Sequence, residues 1–356
     1  MELKSGPIVH ALLQYDFIVL YPIVPKSLAK YRQAFTQSGA KDDPTDAFLM
    51  MDFLGRHGDK LKPVELDLPE TRKIQKLVEH RRLLVQEKIR TTNRITSSLK
   101  EYYPQVLDWF DEIDTVMFCD FMNKWPNLKK VKKARENALE SFYYQHNVRI
   151  KAAIDRRIKL IQSSTALTDD PVVIQTNQFF TLILVKMLRE IISSIKLIDM
   201  EIASQFEQHE DFDLFSALPG AGPVFAPRLL AAMGSNRNRF QSSDELVRQV
   251  GVAPVLERSG KKSWVHWRYA CSKFVRQTFV EWANHSIKYS YWAKVYYQYH
   301  RDKGKSHQST LRSLAFKWAR ILYRCWKNRE MYNETKYLLV LKEKQSSWLS
   351  NQTSNM

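Results

Sequence analysis

A mainly α-helical chain with a partial α/β segment at its N-terminus is the fold class these residues predict, and three observations predict it. Between residues 65 and 210, apolar residues recur at helical spacing over long stretches. Near the N-terminus one short apolar run, Phe17-Ile18-Val19-Leu20-Tyr21, has the length and bulk of a buried strand. Beyond residue 210, apolar helical runs alternate with turns, the tightest being Pro219-Gly220-Ala221-Gly222-Pro223. A hydrophobic content of 44% over 356 residues is ample for real cores and for two or three domains.

In order, residues 1–60 read as a piece of an α/β domain. Pro7 to Gln14 reads as helix, Phe17 to Tyr21 as strand, Pro22 and Pro25 as breakers, and Ser27 to Thr36 as helix again. One clear strand, with the end of another at Glu2-Leu3, cannot make an independent α/β core, so part of the sheet is expected to be missing from this sequence. Residues 61–210 read as helical. Ile74, Leu77, Val78, Leu84, Val85, Ile89, Ile95 and Leu99 mark one amphipathic helix. Leu184, Leu188, Ile191, Ile195, Ile198 and Ile202 alternate steps of four and three, the spacing of a coiled-coil seam. That pattern serves an antiparallel arm, a dimerisation element or an ordinary helical-bundle core equally well. Residues 211–335 form a further helical domain, in which Val224 to Met233 reads as a helix stopped by Gly234. Residues 336–356 read as a peripheral tail.

The net charge of +17 is concentrated. Residues 220–330 hold 21 Lys and Arg against 6 Asp and Glu, and six of the nine tryptophans: Trp264, Trp267, Trp282, Trp292, Trp318 and Trp326. Basic charge neutralises phosphates, and aromatics either stack on unpaired bases or fill the core between basic faces. Nucleic acid is the partner this composition favours over an anionic membrane. The basic run Lys129 to Arg135 can touch nucleic acid, but such runs are more often a solvated helix face. Cys119, Cys271 and Cys325 are odd in number and far apart, which excludes a zinc ribbon or a disulfide framework and fits a reducing cytoplasm. No signal-peptide pattern or run of membrane-spanning length occurs, so no membrane partner is expected.

Three stretches could carry chemistry. In Lys41-Asp42-Asp43-Pro44-Thr45-Asp46-Ala47, Asp43 and Asp46 would share a helix face, with Cβ atoms roughly 5–6 Å apart. Such carboxylates can hold a divalent metal. They also suit a helix start, with Asp43 as N-cap before Pro44 and Asp46 at the third helical position. The turn at Gly220 and Gly222 can expose N–H groups to a phosphate or serve simply to pack two helices. Ser259, in Glu257-Arg258-Ser259-Gly260-Lys261-Lys262, is either a turn residue or a hydroxyl nucleophile whose basic neighbours hold a DNA phosphate.

Taken together these residues resemble a known family, the DEDD transposases of bacterial insertion sequences of the IS110/IS116/IS902 type, which act as RNA-guided recombinases. Glu2 followed by Ser5-Gly6 is similar to the family's acidic strand end. Lys41-x-Asp43-x-x-Asp46-Ala47 is similar to its Lys-Thr-Asp-x-x-Asp-Ala motif, and Leu218 to Gly260, with Arg239-Phe240, Gly251 and Pro254, to its C-terminal domain. Further similarity runs through Arg276, Trp292-Ala293, Tyr296-Tyr297, Gly304-Lys305 and Trp318. The resemblance implies a RuvC-like (RNase H-like) α/β domain, truncated over 1–60. It further implies a helical coiled-coil insertion over 61–210 and a helical transposase domain with a helix-hairpin-helix-like element over 211–335. It implies Mg²⁺ on Glu2, Asp43 and Asp46, Ser259 as the nucleophile, and nucleic-acid contacts at Lys41, Gly220, Gly222, Arg258, Lys261, Lys262 and Arg276. DNA, a structured guide RNA and further copies of the chain, as dimer or tetramer, are the implied partners, in the cytoplasm at the nucleoid. The family's first catalytic Asp lies on a strand upstream of the Glu, and this sequence is expected to start after it. A truncated copy that only binds DNA or RNA is the alternative, and a nuclease acting by water attack a third reading.

Overall fold

In the computed structural model, which describes residues 6–35, 42–345 and 348, the chain divides into two compact units, residues 1–68 and 69–356. Each is built differently.

Among its described residues the first unit holds three α-helices, α1 (Pro7–Leu12), α2 (Pro25–Gln33) and α3 (Asp43–His57), and a short 3₁₀ helix, Gly58–Lys60. Ile23, Leu28 and Leu49 form its small core, with Tyr31, Met50, Phe53 and Leu61 packed around them. The expected strand Phe17–Tyr21 is not formed among the described residues. Phe17 is 82% and Val19 59% exposed, Ile18 N–H closes a turn onto the Tyr15 carbonyl, and Leu20 accepts one bond from Val64 N–H at 2.8 Å. A strand needs neighbours to pair its backbone groups, and no described segment supplies a ladder here.

The second unit begins with α4 (Pro69–Tyr102), 34 residues and so roughly 50 Å long. Five short helices follow: α5 (Val106–Trp109), α6 (Val116–Lys124), α7 (Leu128–Lys132), α8 (Glu136–Gln145) and α9 (Lys151–Ser163). The chain then returns along α4 as the 37-residue α10 (Pro171–Glu207). Three pairings fix the antiparallel register: Thr71 with His209, Arg81 with Asp199, and Ser98 with Thr181. The apolar seam of α10 is therefore used inside one chain. Leu184 and Leu188 join a distal core with Ile95, Leu99, Phe118, Phe121 and Tyr143, whereas Ile202 joins a second core at the arm's base, with Ile74, Val78 and Phe206. Ile191, Ile195 and Ile198 lie half-buried between the two.

The C-terminal part of this unit packs on that base. It comprises α11 (Phe212–Ser216), α12 (Gly222–Met233), α13 (Ser243–Val250), a hairpin of β1 (Val255–Ser259) and β2 (Lys262–His266), α14 (Lys273–Ser286), α15 (Tyr291–Asp302), α16 (His307–Asn328) and α17 (Glu334–Glu343). Four tryptophans are fully enclosed, and each indole N–H has an acceptor: Trp282 the Pro219 carbonyl, Trp292 the Tyr332 hydroxyl, Trp318 Ser286 Oγ and Trp326 the Gly234 carbonyl. Most of the tryptophans in the basic segment thus build the core, with their polar atoms satisfied as burial requires. Two residues of the expected peripheral tail are not peripheral. Leu341 and Trp348 are buried in the same core, with Trp348 edge-on to Tyr296 at 5.3 Å.

Candidate active site

The acidic residues sit at the start of α3. The helix is capped by Asp42, not by Asp43 as expected: Asp42 has extended backbone, and its Oδ1 accepts from Thr45 N–H at 2.7 Å. That bond holds the Asp42 carboxyl below its ordinary pKa. Asp43 and Pro44 are the first helical residues, where Pro44's missing N–H leaves no bond unmade. Asp46 then falls fourth in the helix rather than third, and its amide bonds back to the Asp42 carbonyl. Asp43 is exposed, while Asp46 is paired with Arg32, both side chains being 14% exposed. Two carboxylates on adjoining positions of one turn are the hard oxygen donors Mg²⁺ takes, so their chemistry fits such an ion, with Arg32 as the competitor for Asp46. Glu2 and Lys41 lie outside the described residues. Among the described residues, no three His, Cys, Asp or Glu are gathered to hold a metal.

Ser259 ends β1 at the tip of the hairpin. Val255 pairs with His266, Leu256 with Val265, Glu257 with Trp264, Arg258 with Ser263 and Ser259 with Lys262. Gly260 and Lys261 form the two-residue turn. Only Gly260 (φ +57°) is left-handed, the II′ pattern that matches the twist of the strands and calls for glycine first. Side chains alternate across a ribbon. One face therefore carries Glu257, Ser259, Lys262, Trp264 and His266, and the other carries Leu256, Arg258, Ser263 and Val265. Lys262 stands beside the serine hydroxyl, whereas Arg258 points from the opposite face. Glu257 is engaged by His266, Nε2 to Oε2 3.0 Å. Beyond half-buried Val255, every hairpin residue is exposed on both faces.

The hairpin's base, by contrast, is clamped. Trp267 lies between two guanidinium groups, Arg276 at 4.3 Å and Arg312 at 4.5 Å from its ring centre. Arg276 also donates to the Arg268 carbonyl at 2.7 Å, and Arg268 to the Ala253 carbonyl at 3.3 Å. Arg276, expected at nucleic acid, is thus built into the support of the serine hairpin. Gly251 caps α13 with φ +83° and lies against Cys271.

The glycine turn opens α12. Gly220 (φ +69°) and Gly222 (φ +51°) let the chain reverse tightly between α11 and α12. A Cβ on Gly220 would sit 3.0 Å from the Tyr289 ring and 3.1 Å from the His285 carbonyl. Trp282 Nε1 donates to the Pro219 carbonyl, and His285 Nδ1 lies 3.0 Å from the Gly220 carbonyl, so α14 braces the turn. An open cleft of about 430 Å³ lies here, lined by Gly220, Gly222, Pro223, Phe225, His285 and Tyr289. His285 and Tyr289 were not singled out from sequence, because Tyr289 lies in the turn after α14 and meets the glycine turn only through the tertiary fold. Nor was Arg312, which reaches Trp267 only through the tertiary fold.

Comparison with known proteins identifies relatives of the chain. Residues 2–104 match the model of the DEDD transposases of IS110 type, and residues 213–298 the model of the IS116/IS110/IS902 transposase family; together they take in more than half of the chain. The IS117 mini-circle protein of Streptomyces coelicolor, named as a transposase, is 24% identical over 94% of this chain and 82% of its own length. The uncharacterized 43.6 kDa protein of insertion element IS110 from the same organism is 22% identical, over 82% of this chain and 72% of its own length. The uncharacterized 44.8 kDa protein of insertion element IS116 from Streptomyces clavuligerus is 20% identical, over 72% of this chain and 64% of its own. With the acidic-motif region through α4 and the C-terminal region both matched, the chain belongs to the IS116/IS110/IS902 family of insertion-element transposases.

Proposed function

We propose that this transposase exchanges DNA strands with Ser259 as nucleophile. The observation that carries the reading is the placement of the Ser259 hydroxyl at the exposed tip of a rigidly based ribbon, beside Lys262. In the step proposed, a P–O bond forms between Ser259 Oγ and a DNA phosphorus. The bond from that phosphorus to one deoxyribose oxygen breaks, the serine proton passes to solvent, and the released oxygen takes up a proton as a strand-end hydroxyl. Reversal with a different strand end joins DNA and frees the serine. Lys261 and Lys262 neutralise charge on the phosphate as the transition state forms. Glu2, Asp43 and Asp46 would hold Mg²⁺, which when bound supplies further charge neutralisation at phosphate. The basic C-terminal helices would bind DNA and a structured guide RNA. The exposed apolar residues Phe179, Ile183 and Met187, on one face of α10, favour assembly of several copies.

Trapping the covalent protein–DNA adduct tests the reading. Ser259→Ala is expected to bind nucleic acid as the parent does and to form no adduct. Ser263→Ala, on the opposite face, serves as control and should form it. An adduct in Ser259→Ala returns the serine to a turn role. A second reading, binding without catalysis, is favoured by the Arg32–Asp46 pair, which occupies one of the carboxylates. Full metal-dependent exchange in both Asp43→Ala and Asp46→Ala would return these residues to helix-start duties.

A further inference from the structure

Six tryptophans lie between residues 220 and 330, and the fold accounts for five. Four are enclosed in the core with their N–H groups bonded, and Trp267 is held between Arg276 and Arg312. Trp264 is different. Its side chain is 46% exposed on a ribbon open on both faces, and its indole has no ring or cation contact among the described residues. It belongs to none of the hydrophobic cores. A two-stranded ribbon gains little stability on its own, so the indole's exposure points to an outside occupant.

Register says which occupant. Trp264 pairs with Glu257, and the next pair along the same face is Lys262 with Ser259. Same-face neighbours on a strand are about 7 Å apart, a reach that spans from a backbone phosphate to an adjoining base. Glu257 is turned to His266, which leaves Lys262 as the charge beside the serine, matched to an anion. An aromatic plane one step from a phosphate-matched lysine is the arrangement that stacks on a single-stranded base, because every base presents a π-face. Strand exchange requires the duplex to open at the point of attack, and an opened base needs a surface to replace its lost stacking. We propose that Trp264 is a nucleobase-stacking residue that receives the unstacked base next to the phosphate attacked by Ser259. The proposal rests on the serine reading for the identity of that phosphate.

Because Trp264 is outside the core, its replacement should leave the fold intact, which far-UV circular dichroism checks. The test uses the full chain with a mixed-sequence single-stranded DNA carrying 2-aminopurine, and with the corresponding duplex. Parent protein should quench the 2-aminopurine. Trp264→Ala should bind the single strand about 5- to 150-fold more weakly, lose the quenching, and bind the duplex with much smaller change. Trp264→Phe should recover most of both signals. Equal single-strand affinity in parent and Trp264→Ala, or an equal loss on duplex and single strand, overturns the proposal. So does a change of oligomeric state without a change in DNA affinity, which would mark Trp264 as a protein contact. Ser259→Ala, run beside these, separates the two ideas. If it retains the adduct while Trp264→Ala loses single-strand binding, the serine reading fails and the base contact stands. If it loses the adduct while Trp264→Ala binds normally, the base contact fails alone.

Discussion

Gly251 joins the packing of α13 to the support of the serine hairpin, and replacing it with alanine should be costly for two separable reasons. Its φ of +83° lies in the left-handed region, where an L side chain costs roughly 1–2 kcal/mol. The added Cβ would also fall 2.3 Å from Cys271 Sγ and 2.8 Å from Cys271 Cβ, well inside van der Waals contact. Overpacking of that kind costs about 1–3 kcal/mol. Gly251→Ala should therefore lose about 2–5 kcal/mol in all. Cys271→Gly removes both clashing atoms, so in that background Gly251→Ala should retain only the backbone cost of about 1–2 kcal/mol. Urea unfolding of the four proteins of this double-mutant cycle, followed by circular dichroism, reads the coupling. Additive losses, or an unchanged midpoint in Gly251→Ala, would refute the clash.

Further outcomes follow from the same geometry. His209 is buried, with Nδ1 accepting from Asp211 N–H and Nε2 bonded to Thr71, and burial holds its pKa below the ordinary 6.5. The unfolded chain takes up that proton more readily, so the contribution is full above pH 6.5 and is lost as pH falls below it. Urea midpoints should drop on going from about pH 7 to pH 5, and His209→Asn should flatten the slope; an unflattened slope would assign it to other groups. Asp46→Ala removes the carboxylate paired with Arg32 and should destabilise the first unit by about 1–3 kcal/mol, whereas Asp43→Ala, exposed, should unfold like the parent; equal effects in both would undo this assignment. Trp267→Ala removes both guanidinium contacts, each worth about 0.5–1 kcal/mol, and should speed tryptic cleavage at Arg258, Lys261 and Lys262; unaltered cleavage would mean that the stack does not steady the ribbon. Finally, if the basic C-terminal helices contact about six phosphates, DNA affinity should fall about 10³-fold between 50 and 200 mM salt, and a flat salt dependence would remove nucleic acid from this surface.

Several features were legible from sequence because they are local. The helix read from Val224 to Met233 ends before Gly234 as expected, though it begins two residues earlier, at Gly222, within the turn. The long helices were visible as apolar periodicity, since a helix closes its backbone bonds within a few residues. Concentration of basic charge and the serine–glycine turn were equally open to reading. The Phe17–Tyr21 segment was misread because apolar bulk signals a strand only where another strand pairs it, and that pairing is not local. The cap passed from Asp43 to Asp42 because one residue's difference in helix start decides which carboxylate meets the Thr45 amide. Periodicity alone left open whether the α10 seam faces a second chain, and the arm's own antiparallel return buries Leu184, Leu188 and Ile202 and half-buries Ile191, Ile195 and Ile198. The tail's Trp348 belongs to the core because Trp292 and Tyr296, some fifty residues earlier, leave a place for it. Sequence by itself determined the helical composition, the family motifs and the placement of charge, which depend on neighbours along the chain. Only the tertiary structure decided which tryptophans are core and which one is free, that Arg258 and Ser259 face opposite ways, and that Arg276 and Arg312 grip Trp267, because each of these depends on hydrogen-bond register or on contact between residues distant in sequence.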